Sequence, residues 1–141
     1  MKHRTYLHEE MRRDLLSVYR EVYWNGNFKS QKEVYESVVR HPAPRYYICV
    51  RWAHQRLSKM MRGDRSGLSK MSDLHREMYE SLYDTVVRLS QKEKFVGASL
   101  YYILRHAVKE PAPRFYISAA RMGQIWRERK RLKVRKTFIH E

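Results

Sequence analysis

Pro42-Ala43-Pro44-Arg45-Tyr46-Tyr47-Ile48 returns 69 residues later as Pro111-Ala112-Pro113-Arg114-Phe115-Tyr116-Ile117. The two heptapeptides hold all four prolines of the chain and differ only by Tyr46 against Phe115. A match of that length does not arise by chance, so the chain is internally duplicated. The copies track each other on both sides. Val38-Val39-Arg40-His41 precedes the first heptapeptide, Ala107-Val108-Lys109-Glu110 precedes the second, and Gln55 pairs with Gln124 at the same offset. Further upstream the offset shortens to 67, pairing Met11 with Met78, Leu15 with Leu82 and Phe28 with Phe95. The second copy therefore carries about two extra residues in its middle. A period near 68 is too long for most solenoid repeats, and two copies are too few.

Each copy reads as three helices. Met11, Leu15, Val18, Tyr19, Val22 and Tyr23 recur at helical spacing, and Asn25-Gly26-Asn27 ends that run. Ser30-Gln31-Lys32-Glu33 has the capping-box form, so a second helix starts at Ser30 and carries Val34, Tyr35 and Val38 inward. It stops near His41, because the residue before a proline avoids the helical region. A third helix shows Val50, Ala53, Leu57 and Met60 on one stripe. The second copy repeats the pattern. Its stripes are Leu74, Met78, Leu82 and Val86; Leu100, Ile103, Leu104 and Ala107; and Ala119, Met122 and Trp126. Between the second and third helices, Pro44 can open a helix. Alternatively Pro-Ala-Pro is extended, Arg-Tyr-Tyr-Ile forms a short strand, and positions 49 and 118 cap the next helix. The aromatic and β-branched content favours the second reading.

The expected fold is mostly α-helical: two duplicated three-helix modules, with room for a two-stranded ribbon from the Pro-Ala-Pro-Arg segments. The boundaries fall at residues 1–62 and 71–132, with a joint at 63–70 around Gly63 and Gly67 and a basic tail at 133–141. A single compact domain built from both modules is the alternative.

Thirty Lys and Arg against 15 Asp and Glu give a formal net charge of +15 over 141 residues. The excess divides evenly, with 15 basic side chains in residues 1–70 and 15 in residues 71–141. It is therefore not a basic tail on a neutral body. Such a balance points to a polyanion, because each phosphate neutralised by Lys or Arg releases counterions. Nucleic acid is the expected partner, with an acidic protein as the alternative. A membrane is not expected, since no run approaches the ~18 apolar residues of a span and the aromatics follow core positions. Met1-Lys2-His3-Arg4 leads into a charged segment without a signal-peptide pattern, and Cys49 stands alone. A soluble cytoplasmic protein is expected, at the nucleoid if it binds DNA.

Chemistry-bearing patterns are missing from the sequence. The seven histidines are scattered, with no metal-ligand spacing, and no glycine-rich phosphate loop is present. Glu9, Glu10 and Asp14 sit among arginines as ion-pairing residues of a solvated face. Tyr47 and Tyr116 are framed by prolines in a structural motif. No cofactor, metal or catalytic role is expected.

The binding surface is expected on the third helices. Their outward faces offer Arg51, His54, Gln55 and Ser58 in the first copy, and Arg121, Gln124 and Arg127 in the second. Arg reads guanine and Gln reads adenine through paired major-groove contacts. Arg45 and Arg114 either clamp a phosphate or enter a minor groove, or else tie the motif to a carboxylate or to helix-end carbonyls. Arg56, Lys59, Arg62 and Arg65 cluster at the joint. The densest run is Arg127, Arg129, Lys130, Arg131, Lys133, Arg135 and Lys136, against the lone acid Glu128. It suits a helix lying along a phosphate backbone. Tyr6, Tyr79, Tyr101 and Tyr102 are expected as core or rim aromatics rather than stacking platforms.

A capped helix, a turn and a second amphipathic helix inside a three-helix unit resembles the helix-turn-helix superfamily, over Met11–Met61 and Met78–Leu132. The resemblance implies duplex DNA as partner, with the third helices as readers. The segment from His41 to Ile48 departs from it, being longer than the usual three- or four-residue turn. The Pro-Ala-Pro-Arg-aromatic motif is also similar to one in small bacterial proteins, often from mobile genetic elements, which implies no particular activity. A small DNA-binding regulator or architectural factor is the leading expectation, followed by an RNA-binding protein and by a basic adaptor for an acidic protein or an enzyme.

Overall fold

Helix boundaries follow the capping and proline signals closely. The computed structural model describes the backbone of residues 2–140 and the side chains of residues 6–129. Among the described residues six α-helices run in order: α1 (Lys2–Asn25), α2 (Gln31–Arg40), α3 (Val50–Met61), α4 (Asp73–Ser90), α5 (Leu100–Ala107) and α6 (Ala119–His140). Short 3₁₀ turns at Leu68–Lys70 and Glu93–Phe95 precede α4 and follow it. No helix among the described residues is long and apolar enough to cross a membrane.

Ser30 caps α2 by accepting from the Glu33 amide at 3.3 Å, while the Glu33 carboxylate accepts from the Lys29 amide at 2.8 Å. Ser72, Ser99 and Ser118 cap α4, α5 and α6 in the same way, each satisfying an amide that has no partner within its helix. The two extra residues of the second copy are Gly97 and Ala98. They lie between Phe95 and the capping Ser99, where Gly97 takes φ +75°.

The third helices end differently. Gly63, at φ +85°, follows α3, and the Asp64 and Gly63 amides return to the Lys59 and Met60 carbonyls at 2.9 and 3.0 Å. That pair of bonds terminates the helix through a left-handed residue that glycine adopts at low cost. The equivalent position in α6 is Leu132. With no glycine there, α6 continues to His140 and is 22 residues long against 12 for α3.

The proline segments meet at a pseudo-twofold axis. The Ala43 amide donates to the Ala112 carbonyl at 3.0 Å and the Ala112 amide donates back at 2.9 Å. The Tyr46 amide donates to Val108 at 2.9 Å, and the equivalent Phe115 amide donates to Val39 at 3.0 Å. Aromatic rings close the same axis. Tyr46 stacks on Tyr116 at 6.3 Å and Tyr47 on Phe115 at 5.9 Å, an exchanged pair of pairs. The segments are extended, but the expected ribbon is reduced to one isolated bridge at Ala43 and Ala112. Proline on both sides of each alanine removes the amide donors that a longer ladder needs. The Arg-aromatic continuation therefore turns to the last turn of a helix instead of pairing as a strand.

The axis also sets the packing. α3 lies on α4 and α5, and α6 lies on α1 and α2. Each third helix thus crosses to the first two helices of the other copy, giving the spatial units α1–α2–α6 and α4–α5–α3. One core runs through both, with Leu15, Leu57, Leu82, Leu104 and Met122 fully buried. Burying each such side chain contributes roughly 1.5–3 kcal/mol.

Candidate nucleic-acid interface

Charge divides by helix class. α1, α2, α4 and α5 together carry ten basic and ten acidic side chains. α3 and α6 carry eleven basic side chains and a single acid, Glu128. That acid is held by Arg12 at 3.0 Å, an ion pair joining α1 to α6. The surplus positive charge of the helices therefore sits on two elements related by the pseudo-twofold axis.

On α3, Ala53, Leu57 and Met60 face the core, which leaves Arg51, Gln55 and Lys59 exposed at four-residue spacing. They form one solvent-facing stripe, and Arg62 is exposed just beyond it. On α6, Met122 and Ile125 are buried while Gln124 and Arg127 are exposed and Arg121 is half-buried. Gln124 differs from Gln55 in being engaged: its amide donates to Glu128 at 3.1 Å.

Several of the expected contact residues are occupied within the fold. Arg45 donates through Nε to the Tyr46 carbonyl at 3.1 Å and lies 3.7 Å from the Glu10 carboxylate. That separation is an ion pair without a hydrogen bond, consistent with Glu10 Oε2 being buried and unpartnered among the described residues. Arg114 repeats the bond to the Phe115 carbonyl at 3.0 Å, adds the Ile117 carbonyl at 3.4 Å, and lies over the Tyr116 ring. Both guanidinium groups brace the proline motif. Arg56 and Arg65 lie over Tyr79 and Tyr83, one turn apart on α4. Burial raises the Tyr79 phenol above its ordinary range, and the Arg56 charge opposes that rise. Of the joint cluster, Arg56 is half-buried against α4, while Lys59, Arg62 and Arg65 are exposed, Arg65 over the Tyr83 ring.

The basic run divides at the limit of the described side chains. Arg127 is exposed, and Arg129 lies 3.4 Å above the Trp126 ring while donating to the Trp126 carbonyl at 2.5 Å. Lys130, Arg131, Lys133, Arg135 and Lys136 lie on the helical backbone of α6, with side chains outside the described residues.

Three exposed aromatics were not expected from the sequence: Tyr23, read as part of the apolar stripe of the first helix, is exposed at the end of α1, and two tryptophans join it. Trp52 is 61% exposed on α3 and Trp24 is 83% exposed at the end of α1. Trp52 had a usable signal, since it shares the face of Arg56 and Lys59, off the apolar stripe. Trp24 had none, because it continues an apolar run into a helix end. Tyr6, Tyr101 and Tyr102 are exposed, whereas Tyr79 is half-buried.

Among the described residues, no group of three or more His, Cys, Asp or Glu could hold a metal. Comparison of the chain with family models, curated proteins and solved structures gives no match.

Proposed function

We propose that the protein is a non-enzymatic nucleic-acid-binding protein that grips duplex DNA, acting as a small regulator or architectural factor in the cytoplasm. The carrying observation is the concentration of positive charge on α3 and α6, eleven basic side chains against one acid, while the other four helices taken together balance. A surface that needed charge only for solubility would gain nothing from placing it on two symmetry-equivalent helices. On this reading the exposed stripe Arg51–Gln55–Lys59 and the face Gln124–Arg127 meet the polymer, as the recognition helices of helix-turn-helix proteins do. Affinity comes mainly from phosphate contacts, and any base preference from Arg51, Gln55, Arg121 and Gln124.

Fluorescence anisotropy of matched duplex DNA, single-stranded DNA and structured RNA, from about 50 to about 300 mM salt, tests this. Duplex preference that survives near 150 mM is expected, with log affinity falling steeply against log salt. Arg51→Gln with Lys59→Gln should flatten that slope by about 0.9 for each phosphate that is no longer neutralised. Preference for structured RNA would transfer the same surface to that polymer. Loss of all binding near 150 mM would overturn the reading in favour of an acidic protein partner.

A further inference from the structure

The last turn of α1, the start of α2 and the middle of α6 enclose a cleft of about 380 Å³. Its floor is Tyr19 stacked on Trp126 with ring centroids 3.6 Å apart, and its rim carries Tyr23, Trp24, Arg20 and Arg129. Tyr23 runs parallel to Tyr19 at 5.9 Å, and the Arg129 guanidinium lies over Trp126. The Tyr19 hydroxyl donates to Gln31 Oε1 at 2.8 Å, which fixes the amide with its NH₂ group still available. Burial raises the Tyr19 phenol above its ordinary range, and the bond to Gln31 opposes that rise, so the neutral hydroxyl is the donor. A lone exposed aromatic is ordinary. Here Trp24 at 83% and Tyr23 at 52% exposure stand beside two cations in one concavity.

The other half shows that the scaffold does not need these residues. At the equivalent positions Tyr19, Tyr23 and Trp24 become Val86, Ser90 and Gln91, while Trp126, Arg129 and Gln31 become Leu57, Met60 and Leu100. Val86, Leu57 and Met60 are buried, so the same helix crossing closes as aliphatic core. The aromatic and cationic version is an addition to one half of a duplicated frame.

We infer that this cleft takes one unpaired nucleobase. The base stacks on Trp24 and Tyr23, the Gln31 amide meets its edge, and Arg20 and Arg129 hold the adjoining phosphate. Stacking on aromatic side chains suits any base, because every base has a π-face, and guanidinium groups add charge complementarity to the backbone. Trp126 and Arg129 lie on α6 directly before the run Lys130 to Lys136, so a strand following that helix would deliver its unpaired nucleotide here. The protein would therefore favour a duplex that continues into single strand. The inference rests on the nucleic-acid reading above and refines its substrate.

The test uses the full chain against three labelled DNAs: a blunt duplex, the same duplex with a short adenine overhang, and the single strand. The overhang should tighten binding about 10-fold, within the range expected for stacking of one base. Tyr23→Ala with Trp24→Ala should abolish that gain, leaving blunt-duplex affinity and the melting temperature unchanged. Equal binding of blunt and overhang duplexes, or a preference that persists in the double variant, would overturn the cleft while leaving the duplex reading intact. Single-strand binding that the double variant loses, with no blunt-duplex binding, would overturn the duplex reading and keep the cleft. Failure to bind any of the three would overturn both.

Discussion

The two halves of the molecule, α1–α2–α6 and α4–α5–α3, share an axis and differ at the periphery. At the axis the copies match residue for residue: Ala43 with Ala112, Arg45 with Arg114, Tyr46 with Phe115, Tyr47 with Tyr116. Each of these residues packs against the opposite copy or braces the segment that does, so a change on one side is felt on both. One step outward the halves diverge in matched pairs. The Tyr46 hydroxyl bonds Ser81 at 2.6 Å and Thr85 at 3.2 Å. Phe115 has no hydroxyl, and the position equivalent to Thr85 is Val18. Tyr47 donates to Asp14 at 2.5 Å, whereas Tyr116 has Ser81 in that place. Further out still, one half carries an aromatic cleft and a long basic helix, and the other is closed by aliphatic side chains and a glycine stop. Duplication has kept what both copies must pack against and varied what only one copy touches.

Cutting the shared axis should have the largest effect. Tyr46→Ala and Phe115→Ala each remove a ring less than 3% exposed and should each cost about 3–5 kcal/mol in urea unfolding. Because one core spans both halves, a single transition is expected for the parent chain and for either variant. Two separated transitions would break the equivalence of the halves. Tyr47→Phe comes next, at about 2 kcal/mol near neutral pH, because the Asp14 carboxylate loses a partly buried donor.

The same substitution changes the alkaline limb of stability. Burial, then the Asp14 hydrogen bond and charge, push the Tyr47 phenol far above its ordinary 10.0. The folded chain therefore keeps a proton that the unfolded chain releases once pH passes about 10. The stabilisation is full below that pH and is lost as pH climbs towards the folded value. Unfolding midpoints measured from about pH 8 to about pH 11 should fall less steeply in Tyr47→Phe than in the parent chain. Tyr116→Phe should change that limb less, since its smaller rise is offset by the Ser81 hydrogen bond and the Arg114 charge.

Tyr46→Phe makes the halves more alike and should cost only about 1 kcal/mol. Thr85 keeps its bond to the Ser81 carbonyl at 3.0 Å. A cost above about 3 kcal/mol would mean that the hydroxyl cluster stabilises the axis more than ring packing does. The smallest effect on stability is expected from Gln55→Ala and Gln124→Ala, within about 0.5 kcal/mol for such exposed sites. Their informative readout is DNA site selection. Gln55→Ala should relax base preference more than Gln124→Ala, because Gln124 is tied to Glu128 and Gln55 is not among the described hydrogen bonds.

Helix positions, caps and the duplication were legible because each rests on local physics. Ser30 and Ser118 cap helices as side chains of that spacing must, and His41 ends α2 because Pro42 follows it. The stripe Ala53–Leu57–Met60 faced inward as its period required. The arginines of the proline motif were only half legible. Their spacing marked them as constrained, but a phosphate and a carbonyl present the same acceptor chemistry, and only the backbone path brings the Tyr46 and Phe115 carbonyls within reach.

The sequence by itself determined a mostly helical, twice-repeated chain with a large basic excess and an extended Pro-Ala-Pro crossing. The tertiary structure decided which helices share a unit. The two copies present similar apolar faces, so a third helix can satisfy its stripe on either copy, and the pattern along the chain is the same in both cases. Contacts between residues about 70 apart choose between them: the Ala43–Ala112 bridge and the exchanged ring pairs carry α3 and α6 across the axis. That crossing also sets Trp126 against Tyr19 and opens the cleft, because it joins residues from opposite ends of the chain whose side chains carry no local signal of meeting.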